Sequence, residues 1–154
     1  MVRNRLADAI GEIAATIYKT EGSWDELIHY LLKAAFSEIN VQSAHSLKIL
    51  GVLFTYAHSY MSKYNTEVFK IFDTTLKSEN PEIILNSIEA LTNLLSVIDG
   101  VYVETYRPLL TKYLTSTVTL LGLDSIDGKS ALEQLVYLAE AEPKFLKKDV
   151  QTLY

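Results

Sequence analysis

The stretch from Asn80 to Asp99 constrains this chain more than any other. Asn80 and Pro81 precede apolar residues at Ile84, Ile88, Leu91, Leu95 and Ile98, with a second row at Ile83, Ala90, Leu94 and Val97. An asparagine side-chain carbonyl can accept a first-turn N–H, and a proline at the first helical position gives up an N–H that has no partner there. Gly100 is expected to stop the helix. One narrow polar stripe remains: Glu82, Asn86, Glu89, Asn93 and Ser96. A helix apolar on nearly three sides has to pack between neighbours.

Those neighbours are copies of the same pattern. A shift of about 41 residues superposes Leu6, Leu47 and Ile88, then Ala9, Leu50 and Leu91, then Ile13, Phe54 and Leu95. The preceding helix repeats as well, with Leu27 matching Val68, Leu31 matching Phe72 and Ala35 matching Leu76. A third unit follows at a slightly longer offset, with Phe72 on Leu114, Leu91 on Leu135 and Leu95 on Ala139. Its extra residues fall in the loop from Gly122 to Gly128. Paired helices recurring at this period predict an α-solenoid, in which each unit buries its apolar face against the next.

Taken in order, the pattern predicts an inner helix over 2–19, a repeat over 24–61, a second over 65–99 and a third over 104–141. A further outer helix is expected over 144–154, after Glu142-Pro143. Ser23, with Glu26 three residues on, reads as a capping box for the outer helix from Trp24 to Phe36. Half a repeat at each end, without a polar outer face, is what an excerpt of a longer solenoid would show, and its apolar ends predict self-association.

Composition narrows the function. The chain has 154 residues, 49% of them hydrophobic, enough for a sizeable core. A formal charge of −5 argues against general nucleic-acid binding, which needs a basic surface. Cysteine is absent, which removes disulfide and thiolate chemistry. No apolar run approaches the roughly 20 residues of a membrane span, and the N-terminus lacks the apolar core of a signal peptide.

A family resemblance rests on particular residues. Arg5-Leu6-Ala7-Asp8-Ala9-Ile10-Gly11-Glu12-Ile13-Ala14, followed by Trp24-Asp25-Glu26-Leu27-Ile28, resembles the HEAT repeats of importin-β (karyopherin-β) nuclear transport receptors, nearest the importin beta-three branch. The tail from Leu135 to Leu146 resembles the same branch two repeats on. The resemblance implies an all-α fold: a right-handed α-α superhelix of about three and a half HEAT repeats. The aspartate–arginine ladder common between HEAT repeats is missing from the inner helices, with Asn86 and Lys48 standing in its place.

In such an array the inner helices line a concave surface. The repeat register puts on it Asn4, Asp8 and Glu12, then His45, Lys48 and Thr55, then Glu82, Asn86, Glu89 and Asn93, and last Glu133, Tyr137 and Glu140. An acidic wall attracts basic partners. Asn86 and Asn93, two turns apart, are expected to hold an extended peptide backbone through their amides. The resemblance implies that the partners are lysine-rich import cargo and the GTP form of the small GTPase Ran, and that the protein works in cytoplasm and nucleus. It also implies grooves between outer helices for phenylalanine-glycine nucleoporins, for which Phe36, Phe69, Phe72, Tyr106 and Tyr113 are the candidates.

Catalysis finds no support in the sequence. His29, His45 and His58 do not share a helix face at ligand spacing, and no serine sits in a Gly-x-Ser-x-Gly elbow. The loop Asp124-Ser125-Ile126-Asp127-Gly128 lacks the third oxygen ligand and closing glutamate of a calcium site. The chain is expected to be no enzyme and to need no cofactor. Two other functions fit the pattern: a HEAT-repeat scaffold, such as a phosphatase regulatory subunit, and a compact helical domain burying an apolar ligand.

Overall fold

The computed structural model describes residues 25–141 except 99, 124 and 125, together with residues 8–10, 12, 13, 16, 17, 19 and 143. Seven α-helices and no strand occur among the described residues. They are α1 (Asp25–Ala34), α2 (Asn40–Met61), α3 (Asn65–Thr75), α4 (Pro81–Val97), α5 (Gly100–Tyr106), α6 (Leu110–Gly122) and α7 (Ile126–Ala141). Two 3₁₀ turns, Ser62–Tyr64 and Arg107–Leu109, join α2 to α3 and α5 to α6. The Ser23 cap, the start of the first outer helix and the expected helix over 144–154 lie outside the described residues.

The central helix forms as its sequence dictates. Asn80 Oδ1 accepts from the backbone N–H of Glu82 at 2.9 Å and of Ile83 at 3.3 Å, and Pro81 opens the first turn. Ile83, Ile84, Ile88, Ala90, Leu91, Leu94 and Leu95 are buried. Ser87 and Thr92 are buried with them, and each hydroxyl donates to the carbonyl four residues back, Ile83 and Ile88, at 2.7 Å. That local bond lets a polar residue enter an apolar layer without an unsatisfied group. The helix stops at Ile98, which turns to an extended conformation, and not at Gly100, which instead begins α5.

The helices stack in two layers. In the inner layer α2 packs along α4 and α4 along α7; in the outer layer α1, α3 and α6 cover the paired inner helices. The recurring positions recur in burial: Leu47 with Ile88, Leu50 with Leu91 and Phe54 with Leu95 are all fully or almost fully buried. Side-chain bonds between units also follow the repeat. Asn86 reaches Ala44 and Asn93 reaches Gly51 across 42 residues, Tyr106 reaches Asn65 across 41 and Ser116 reaches Leu76 across 40. Equivalent positions touching one unit apart is what an all-α HEAT-repeat solenoid requires.

Three details differ from the sequence reading. The third outer helix, expected as one piece from Glu104 to Leu121, is broken into α5 and α6 at a 3₁₀ turn containing Pro108. A proline there removes a helical N–H and crowds the carbonyl one turn back. In α7 the fully buried pair is Ala131 and Leu138, whereas Ala139, matched to Leu95 by the longer offset, is exposed, so the register of that unit moves by one residue. In the first helix Ala9 and Ile13 are exposed where Leu50 and Phe54 are buried, because no described element covers that face.

Two core tyrosines give the fold an alkaline limit. Tyr113 is fully buried in α6, and its hydroxyl lies 2.8 Å from Thr92 Oγ1. Burial pushes its phenol up to about 12, partly offset by the hydrogen bond it shares with Thr92; burial also raises Tyr106. A phenol whose folded pKa lies above its unfolded value stabilises fully below the unfolded value, and that stability is lost as pH rises through the folded one. We therefore expect unfolding free energy to fall between about pH 10 and 12, with Tyr113 contributing up to about 3 kcal/mol of the loss. Urea melts across that range test this, and Tyr113→Phe should flatten the decline.

Candidate protein-binding groove

The candidate site lies along the seam between α2 and α4, and a glycine makes the seam narrow. A Cβ on Gly51 would sit 3.2 Å from Ala90 Cα and 3.4 Å from Ala90 Cβ, so the two helices nearly touch at this level. The polar stripe of α4 therefore runs along a helix–helix contact instead of standing in open solvent. Asn86 Nδ2 donates to the Ala44 carbonyl at 2.9 Å, and Asn93 Nδ2 donates to the Gly51 carbonyl at 3.2 Å. Between them Lys48 Nζ meets Glu89 Oε2 at 3.1 Å. These three contacts form a ladder with its rungs one turn of α4 apart, in the place where an aspartate–arginine ladder was missing.

This geometry corrects one expectation about the asparagines. One N–H of each amide is spent on the neighbouring helix, so the pair does not offer two whole amides to a ligand. The bond instead fixes the plane of each amide and leaves its carbonyl oxygen and second N–H for other partners. Fixing a polar group before a ligand arrives lowers the ordering cost of binding. Asn86, Glu89 and Asn93 are each half-buried, so they serve both the seam and the surface. Replacing both Asn86 and Asn93 with alanine should cost about 1–3 kcal/mol through two lost side-chain bonds, read by chemical denaturation.

The structure gathers part of the sequence-derived stripe and leaves the rest apart. A groove of about 150 Å³ is lined by Asp8, Lys48, Asn86, Glu89 and Asn93, with Leu47, Gly51, Val52 and Ala90 as its floor. Glu12 and Glu82 are exposed but do not line it. Glu133, Tyr137 and Glu140 are exposed on α7, the next inner helix, also outside the groove. His45 is half-buried, with its Nε2 enclosed and unbonded among the described residues. Gly51 was absent from the sequence-derived site. Its signal was a glycine inside an apolar helical run, which marks a close backbone approach.

The aromatic candidates do not form one outer groove. Phe72, Tyr106 and Tyr113 belong to the core, being almost fully buried, and Phe69 is half-buried with its ring 6.3 Å from that of Tyr106. Aromatic rings at helical spacing bury so much apolar area that the core claims them first. Only Phe36 of the five is exposed, beside a shallow groove of about 520 Å³ that it shares with Tyr30, Lys33 and Gln42. A separate cavity of about 250 Å³ opens where the end of α2 faces α5, lined by His58, Asn65, Tyr102 and Tyr106 among others.

Comparison with known proteins agrees with the repeat geometry. The model of the family described as "IPO5-like, TPR repeats" matches residues 1–154, the whole chain. The chain belongs to this IPO5-like repeat family. It is also similar to Importin-4 of Mus musculus, with 24% identity over 137 residues that make up 87% of this chain and 13% of that protein. The chain thus spans about an eighth of that relative's length. Although the family description speaks of TPR repeats, the bonds between units of these IPO5-like repeats span 40–42 residues. That spacing fits HEAT units of roughly 40–47 residues better than TPR units of about 34. Among the described residues of the IPO5-like chain, no helix is long and apolar enough to cross a membrane.

Proposed function

We propose that this chain is a segment of a nuclear transport receptor that recognises basic polypeptides on its inner-helix face. The observation that carries the reading is the α2–α4 groove, where Glu89 and two anchored asparagine amides stand side by side in a repeat of importin-like type. Carboxylates steer a basic partner to the groove, and the amides hold its backbone in register. The partners are lysine-rich import cargo and Ran in its GTP form, and the protein shuttles between cytoplasm and nucleus. Recognition needs no covalent step and no cofactor, so the segment acts as a binding surface and not as an enzyme. Phenylalanine-glycine nucleoporins bind on the convex side, where Phe36 and Tyr30 are exposed beside one shallow groove. Exposed Leu132 and Val136 on α7, with Val118 and Leu121 on α6, favour contact with further repeats or with a second copy.

The test is a fluorescence titration with Ran loaded with GTP or GDP, and with a labelled lysine-rich peptide against its norleucine counterpart. Preference for Ran-GTP and for the lysine peptide, weakened by salt and by Glu89→Lys or Asp8→Lys, supports the reading. Equal binding of both nucleotide states and both peptides would remove it and bring the scaffold function forward.

A further inference from the structure

The groove already holds one ammonium group, and it belongs to the chain itself. Lys48 Nζ sits on Glu89 Oε2 at 3.1 Å, with 29% of the lysine side chain and 24% of the glutamate side chain exposed. Asp8 lines the same groove and makes no ion pair among the described residues. Resting on the reading above, we propose that Lys48 occupies in the free protein the place a partner's lysine takes in the complex. Glu89 is then the lysine-selecting carboxylate of the groove, and Lys48 is its internal competitor.

Three observations on the ladder lead there. First, Glu89 stands on the anchored helix while Lys48 is the longer and more flexible of the two side chains. Glu89 lies in the middle of α4 between two asparagines tied to α2, whereas Lys48 reaches it on a flexible four-carbon stem. Second, the pair is open enough to part. An ion pair that keeps about a quarter of each side chain in water is held weakly, and a released Lys48 ammonium regains full hydration. Third, exchange of one ammonium for another leaves Glu89 paired in both the free and the bound protein, so binding does not end with a half-buried carboxylate unpaired. The partner's backbone then lies along the free edges of the Asn86 and Asn93 amides. Asp8, on the adjacent helix, provides a carboxylate for the next basic residue or for the displaced Lys48 itself.

The experiment measures the affinity of a labelled lysine-rich peptide for the wild-type chain and for five variants at one ionic strength. Lys48→Met keeps the stem and removes the competing charge. It should bind about two- to fivefold more tightly, the range that corresponds to one partly exposed ion pair. Lys48→Arg should stay near wild type. Lys70→Met, the same charge change on the exposed face of α3, should stay within about twofold, which separates competition from a general change in net charge. Glu89→Gln should weaken binding, and adding Lys48→Met to it should give no gain, because competition passes through Glu89 alone. Unchanged or weaker binding by Lys48→Met, with Glu89→Gln still impaired, overturns the competitor role and leaves the binding face standing. Lysine-peptide binding absent from wild type and all variants, each with a normal thermal melt, overturns the competitor role and the binding face together.

Discussion

Ile88→Ala should lower the unfolding free energy by about 2–5 kcal/mol. Ile88 is fully buried at the centre of α4, the helix that packs on α2, α3, α6 and α7. Its removal leaves a cavity that four fixed helices cannot close. The cost is therefore the lost transfer energy of the side chain plus the lost contacts around the void. At the midpoint this amounts to a fall of about 5–15 °C for a chain of this size. Because a solenoid is coupled only between neighbours, weakening the middle repeat should also broaden the transition as the flanking units begin to melt separately. Ile126→Ala is the matching control, since Ile126 is 84% exposed and its truncation should change stability by no more than about 0.5 kcal/mol. Calorimetry of the two variants checks both magnitudes.

A pair of glycine substitutions should affect stability very differently. Gly128 lies in the first turn of α7, where a Cβ would come within 2.5 Å of the Leu120 carbonyl oxygen and 2.8 Å of Leu121 Cα. Both obstacles are backbone, so α7 would have to move away from α6. Alanine gains about 1 kcal/mol over glycine in a helix, but the displacement of a packed helix outweighs it. We expect Gly128→Ala to cost about 2–4 kcal/mol net. At Gly122, in the last turn of α6, a Cβ would meet nothing within 4 Å. Gly122→Ala should therefore be neutral or stabilising by up to about 1 kcal/mol. Parallel urea melts would show the contrast, and equal effects at the two sites would contradict the close approach of α6 and α7.

What the sequence discloses here depends on whether a feature is local or lies between helices. Asn80-Pro81 and the apolar rows of α4 predict that helix and its cap closely, because capping and periodicity are decided within a few residues. The recurrence of Leu47, Leu50 and Phe54 at Ile88, Leu91 and Leu95 is legible for the same reason, and it yields the solenoid. Pro108 carried a local signal too, and the continuous apolar pattern around it concealed the break between α5 and α6. The role of the polar stripe was not local. Whether Asn86 and Asn93 face solvent or a neighbouring backbone depends on how closely α4 approaches α2, and that distance is set by Gly51 against Ala90. Alignment identified Lys48 and Glu89 as residents of one face but not as partners, although a repeat offset of 41 residues places them opposite each other. The aromatic candidates failed for an energetic reason: Phe72, Tyr106 and Tyr113 gain more from burial in the core than a surface groove could return.

Amide hydrogen exchange with and without the lysine-rich peptide measures directly where a basic partner lands. The expected result is slowed exchange in α2 around residues 44–52 and in α4 around residues 82–93, with α3 and α6 unchanged and the protection lost at high salt. Protection concentrated on the outer helices, or binding with no protection along the α2–α4 seam, would contradict the groove as the recognition surface.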